Sequence, residues 1–222
     1  SITGNMVRAV QESAKVLNIR GRVLPSTLDD MKLSAEMEDG TIVEGESNIP
    51  ETGKKIKRLF TTPANCKPLP EVIQAIKEAD LIILGPGSLY TSVIPNLLIK
   101  EISEAISKSS AKKIYVCNIM TQPGETTGYS AADHIQAILD HAGYPNMVQA
   151  MLVNNSLPDD LSPDYEKSDS FPVVVDVDTI KAKNINVVST RLYEENDQKY
   201  VRHSPSVSYT HLRAHETLMN LV

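Results

Sequence analysis

Cysteine is scarce, positive charge is not in excess, and no apolar run approaches the roughly 20 residues that a membrane-spanning helix needs. Each shortage narrows the field. The two cysteines, Cys66 in a proline-flanked loop and Cys117 in an apolar stretch, form neither a disulfide framework nor a zinc pattern. A reducing cytosol is therefore expected, and the opening residues lack the charged, apolar, small-residue order of a secretory signal. The formal charge of −6 and pI near 5.4 argue against a nucleic-acid partner, which calls for a basic face. His134 and His141 are too far apart on one helix to chelate as an i,i+4 pair, so no metal site is expected. The sequence also has no G-x-S-x-G elbow, no HExxH and no cysteine with an evident histidine partner, which leaves no covalent-catalysis constellation.

What is present is an ordinary soluble composition, 41% hydrophobic and 23% charged, on a 222-residue chain long enough for one sizeable core. Met6, Val7, Val10, Ala14 and Leu17 recur near the helical period and predict a helix over Ser1–Asn18. "GRVLPST" reads as a strand. "LSAEMEDGTIVEGESNI" reads as a hairpin turned by Asp39-Gly40, and "KKIKRLFTTP" as a further, edge-like strand whose lysines deter pairing with another chain. Pro70 to Ala79 is a short helix with Pro at its start. Leu81–Leu84 is continuously apolar, as in a parallel strand covered on both faces. A helix over Leu97–Ser107, a strand over Lys112–Asn118, a helix from Ser130 to His141 closed by Gly143, and a strand in "MVQAMLVNNS" complete an alternating pattern. Asp159 to Phe171 reads as irregular. "FPVVVD" reads as a strand before a short helix ending near Lys183, and two last strands meet at a turn over Glu195-Asn196-Asp197. Ser208 to Val222 resembles translated adapter sequence and is set aside as a non-native tail, leaving 1–207 as part of a single α/β domain.

Two strand ends carry the candidate chemistry. In an open parallel sheet, ligands bind where the strands' carboxyl ends meet loops and helix N-termini. Gly85-Pro86-Gly87-Ser88 occupies such a place: glycine lets a ligand approach the backbone, Pro86 stiffens the turn, and Ser88, Thr91 and Ser92 offer hydroxyls. An anionic or sugar-phosphate ligand would suit it, although it is neither the GxGxxG fingerprint nor a phosphate loop, and a plain β-to-α turn fits as well. After the next strand, Asn118, Thr121 and Gln122 suit sugar hydroxyls or an amide, and Glu125 suits a base. The same Thr and Glu residues also suit ordinary helix caps. The paired acids Asp29-Asp30 and Asp159-Asp160 read as solvated charge.

Taken together, "RGRVLP", "AEMEDGTIVEGES", "EADLIILGPGSLYTSVIPNLL" and "KKIYVCNIMTQPGETTGYSAADHI" resemble the bacterial gluconeogenesis factor family. That family is related to the phospholactate transferase of deazaflavin-coenzyme synthesis. The resemblance implies an α/β, doubly wound, mostly parallel Rossmann-like sheet with a β-hairpin insertion. It also implies that roughly the first hundred residues of the family pattern, with the first strands and the glycine-rich nucleotide loop, are missing. The implied function is a cytoplasmic protein that binds UDP-sugars such as UDP-N-acetylglucosamine and is needed for cell shape and for growth on gluconeogenic carbon sources. Cell-wall synthesis proteins are the implied partners, and an exposed strand edge would permit a homo-oligomer. No cofactor is expected in that reading. The related branch instead moves a phospholactyl group to a deazaflavin acceptor with magnesium. By matching motif, the implied ligand-binding residues are Gly85, Pro86, Gly87, Ser88, Tyr90 and Thr91 at one corner and Asn118, Thr121, Gln122 and Glu125 at the next.

Overall fold

The computed structural model describes residues 22–158, 161–195 and 200–204. The helix expected over Ser1–Asn18, the Asp159-Asp160 pair, the turn residues Asn196-Asp197 and the tail from Ser208 lie outside them.

The hairpin forms where the alternation and turn predict. Strand β1 (Lys32–Met37) pairs antiparallel with β2 (Ile42–Glu44), with Ala35 opposite Val43, and the Thr41 N–H donates to Asp39 Oδ1 at 2.9 Å to hold the turn. A short helix α1 (Asn48–Glu51) follows, and β3 (Ile56–Thr62) pairs with the other side of β1, giving a three-stranded sheet with β3 at one edge. Leu33, Ala35, Met37, Ile56 and Leu59 are buried beneath it. On the solvent side Lys57 and Arg58 both reach the Glu36 carboxylate, at 2.6 and 2.7 Å, so the basic residues of this strand neutralise a neighbour and stay solvated.

Helix α2 (Pro70–Glu78) leads into the main sheet. Strands β4 (Leu81–Leu84), β5 (Lys112–Val116), β6 (Ala150–Asn154) and β7 (Asn186–Thr190) lie parallel in that order. The chain between β4 and β5 forms a π-turn (Leu89–Val93), α3 (Ile94–Leu97) and α4 (Lys100–Lys108). Between β5 and β6 it forms α5 (Ala131–Ala142), and between β6 and β7 it forms α6 (Asp164–Lys167) and α7 (Val177–Lys181). Because successive side chains of a strand point to opposite faces, Tyr115, Cys117, Met151 and Val153 pack with Ile102, Ile135, Ile138 and Ile180 of the helices in one core. Ile114, Val116, Ala150 and Leu152 face the other way, against Leu192, Tyr193 and Val201. The last two belong to an antiparallel ribbon of β8 (Tyr193–Glu195) and β9 (Val201–His203). This is the Rossmann-like α/β architecture expected. Burial of each such large apolar side chain contributes about 1.5–3 kcal/mol.

Helix α5 is sited by its own sequence. Ser130 Oγ accepts from the Asp133 N–H, the Asp133 carboxylate accepts from the Ser130 N–H at 2.8 Å, and the helix closes on Gly143. Other expectations give way. "GRVLPST" forms no strand among its described residues. Pro25 has no N–H to give a ladder, and Thr27 makes only a bridge to Pro68. The helix expected over Leu97–Ser107 is two helices separated at Ile99, whose extended backbone interrupts them, and the first begins beside Pro95. "FPVVVD" makes isolated bridges from Pro172 and Val174 to the loop after β5, and the stretch expected to be irregular contains α6. Strand β4 is not covered on both faces: it pairs with β5 alone among the described residues, and Ile83 is 41% exposed.

Candidate functional site

The parallel strands deliver their carboxyl ends to one rim, and the loops there bond to each other. At the end of β4, Gly85 has φ +79, and a Cβ on it would sit 3.0 Å from the Val116 carbonyl of β5, so the chain turns here only without a side chain. Ser88 then meets the second corner: its hydroxyl accepts from Gln122 Nε2 at 2.8 Å. Gln122 Oε1 in turn accepts from Asn118 Nδ2 at 3.1 Å, and the Tyr115 hydroxyl lies 3.5 Å from Asn118 Oδ1. This chain of amides fixes which oxygen and nitrogen of each side chain faces which neighbour.

Glu125 makes the second link between the corners. One carboxylate oxygen accepts from the Tyr90 N–H at 3.1 Å and the other from the Thr91 hydroxyl at 3.0 Å. It therefore caps the first turn of another segment, the π-turn at Leu89–Val93, and not the helix that follows it in sequence. Burial pushes its carboxyl above the ordinary range, against the pull of those hydrogen bonds. Thr121 is buried as well: its N–H donates to the Phe171 carbonyl at 2.7 Å, and its hydroxyl accepts from the Phe171 N–H at 2.8 Å.

Gly124, within this loop, has φ +74, and a Cβ on it would stand 1.9 Å from the Pro50 carbonyl of α1. The hairpin unit thus presses on the loop at a point where only glycine fits. Pro50 is also part of the wall of a large cleft.

That cleft, of about 780 Å³, is lined by Asn118, Thr121, Gln122 and Glu125 from the loop after β5 and by Tyr165, Arg202 and His203 from α6 and β9. Tyr165 bridges α6 to β9, accepting from the Val201 N–H at 2.9 Å, and its ring meets Tyr200 edge-on at 5.4 Å. Arg202 is exposed and has no ion pair among the described residues, while Glu194, opposite it in the ribbon, bonds the Ser204 hydroxyl. Among the described residues neither ring nitrogen of His203 has a hydrogen-bond partner, and burial lowers its pKa, which favours the neutral ring. A second cavity of about 400 Å³ adjoins the first through Asn118 and Ile119 and runs along the ends of β5, β6 and β7.

The ten candidate residues are therefore neighbours, but they do not all face one space. Asn118, Thr121, Gln122 and Glu125 line the large cleft. Gly85, Pro86 and Gly87 line a separate groove beside Ile83 at the sheet edge. Tyr90 turns away: it is buried, donates to or accepts from the Tyr129 hydroxyl at 2.7 Å, and meets His141 edge-on at 5.8 Å. Ser88 and Thr91 spend their hydroxyls on Gln122 and Glu125. Sequence reasoning missed Tyr165, Arg202 and His203, because no local spacing relates them to the corners they face. Asn154, Asn155 and Ser156 were legible as a polar strand end.

Comparison with known proteins gives the arrangement its relatives. Residues 1–193 match the family described as 2-phospho-L-lactate transferase CofD. The gluconeogenesis factor of Halalkalibacterium halodurans is 50% identical over 206 residues, 93% of this chain and 64% of that protein. The gluconeogenesis factor of Bacillus subtilis is 50% identical over 193 residues, 86% of this chain and 61% of that protein. The chain thus spans less than two thirds of the length of these curated relatives. A crystal structure of a Bacillus halodurans member of the UPF0052 family superposes with a TM-score of 0.88 at 50% identity, covering 94% of this chain and 68% of that one. On the family match and these identities, the chain belongs to the CofD family and stands with its gluconeogenesis factors.

Proposed function

We propose that this chain is a cytoplasmic regulatory protein that binds a nucleotide sugar of the UDP-N-acetylglucosamine type, tying cell shape and growth on gluconeogenic carbon to precursor supply. One observation carries the reading: a single cleft is lined both by Arg202, which has no ion pair among the described residues, and by the amide and hydroxyl groups of Asn118, Thr121 and Gln122. A diphosphate calls for the first, since a planar guanidinium matches phosphate oxygens with paired donors. Sugar hydroxyls call for the second. The imidazole of His203, without a partner among the described residues, supports the same reading, because a buried donor without an acceptor costs about 1–3 kcal/mol until something fills the role. Cell-wall synthesis proteins are the partners such a sensor would act on.

The test is a melt of the chain with UDP-N-acetylglucosamine. A ligand at 100 times its Kd stabilises the folded state by about 2.7 kcal/mol, and a regulatory site returns it chemically unchanged. No shift at saturating ligand rejects the reading.

The family description favours a second reading, a transferase of phospholactyl groups to a deazaflavin acceptor. Glu125 is poorly placed to be its base: both oxygens already accept hydrogen bonds, and burial favours the protonated acid. Among the described residues no three His, Cys, Asp or Glu side chains converge to hold magnesium. Product mass after incubation with nucleotide-linked phospholactate, magnesium and the deazaflavin decides it.

A further inference from the structure

The two cavities that meet at Asn118 differ in one respect: the smaller has no charged side chain among the described residues of its wall. Glu125, Asp164 and Arg202 all belong to the larger one. Cys117, on the wall of the smaller, is fully buried, and burial raises its pKa, so it is a neutral thiol. An ionised ligand group would lose its hydration there with no counter-charge to replace it.

The wall is of mixed kind: Asn155, Ser156 and Ser189 are polar, and Leu157, Val173 and Val175 are apolar. The neighbouring Asn154 has spent its amide, donating to the Ser156 carbonyl and accepting from the Leu192 N–H at 2.9 Å. Asn155 has not. Its backbone N–H donates to the Thr190 carbonyl at 3.1 Å, and its side-chain amide has no partner among the described residues. Asn118 keeps one amide proton beyond the one given to Gln122. A free carboxamide offers donors and an acceptor side by side, and the group that matches both at once is another amide or imide. The apolar side chains of the wall suit the face of a ring, and about 400 Å³ is within the roughly 300–1,000 Å³ of small-molecule pockets.

We propose that this uncharged cavity is the subsite for a neutral, amide-bearing ring of the ligand, an N-acylated sugar or a pyrimidine base. Asn155 reads its amide, and Leu157, Val173 and Val175 cover its apolar face. The inference rests on the nucleotide-sugar reading, and divides that ligand into a charged part held near Arg202 and a neutral part held past Asn118.

The experiment follows the side-chain amide resonances of the ¹⁵N-labelled chain during titration with three neutral probes: N-acetylglucosamine, uridine and glucose. Either of the first two should move Asn155 and Asn118, thereby identifying which ring the cavity takes, while glucose leaves them in place. Asn155→Ala, at an exposed position, should melt as the parent does and weaken that probe at least tenfold. The proposal is overturned if no probe moves Asn155, if glucose moves it equally, or if Asn155→Ala binds as tightly as the parent. UDP-N-acetylglucosamine separates the two readings. If it binds and leaves Asn155 unmoved, the subsite falls and the cleft reading stands. If a free ring moves Asn155 while the nucleotide sugar binds no more tightly than that ring, the subsite stands and the cleft reading falls.

Discussion

Gln122 donates its side-chain amide to the Ser88 hydroxyl across 2.8 Å, joining the end of β4 to the end of β5. The bond links two chain reversals that share a rim, and Asn118 extends it toward the second cavity. The rim is therefore a continuous polar edge held by side chains, with the sheet register behind it.

Gln122→Ala removes a donor from Ser88 and an acceptor from Asn118 together. Partly exposed hydrogen bonds are worth about 0.5–1.5 kcal/mol each, and water can replace part of both. A loss of about 1 kcal/mol in urea denaturation is expected, with a larger fall in ligand affinity because Asn118 loses its fixed orientation. Unchanged affinity would mean that the amide chain does not shape the site.

Gly124→Ala should be far more damaging. A Cβ 1.9 Å from the Pro50 carbonyl cannot be accommodated by a rotamer change, since backbone stands on both sides, and φ +74 adds left-handed strain. Non-glycine residues in that region cost about 1–2 kcal/mol before any clash. We expect a loss above 2 kcal/mol, unless α1 shifts off the loop. That outcome would show as a smaller melting change with a widened cleft and weakened binding.

How much of this was legible depended on how local each cause was. The hairpin carries Asp39-Gly40 in its turn, and α5 carries Ser130, Asp133 and Gly143 at its ends, so short-range chemistry fixes both. Strand β4 was placed to the residue because four apolar side chains run between Asp80 and the Gly85-Pro86 turn. Its covering was misjudged, because an apolar run does not reveal how many neighbours it has. Glu125 was legible as a cap but not as the cap of a segment 35 residues earlier. Tyr165 and Arg202 were invisible for the same reason: their wall of the cleft is assembled by the ribbon and α6, contacts that no spacing encodes.

Arg202→Ala tests the charged half of the ligand without touching the fold. The guanidinium is exposed and unpaired among the described residues, so stability should change by no more than about 0.5 kcal/mol. Hydrogen bonds to charged groups are worth about 1.5–3 kcal/mol, so affinity for UDP-N-acetylglucosamine should fall roughly 10- to 100-fold by calorimetry. Arg202→Lys restores the charge but not the paired donors and should recover only part of it. Equal affinity in all three proteins would remove the cation from the site.

The last expectation concerns pH and Glu125. Its carboxyl lies above the ordinary 4.5 in the folded protein because it is buried, so between those two values the folded state holds a proton that the unfolded chain has released. Stability must then fall as pH rises through that window and level off above the folded value. Glu125→Gln keeps the shape and cannot ionise: its amide oxygen can accept from the Tyr90 N–H, and its NH₂ can donate to the Thr91 hydroxyl, which turns to receive it. The stability of Glu125→Gln relative to the parent should therefore rise with pH from 4.5 upward in urea denaturation at fixed ionic strength. A difference that stays level across the window, or slopes the other way, would mean that the hydrogen bonds from Tyr90 and Thr91 outweigh burial and hold the group as an ordinary carboxylate cap.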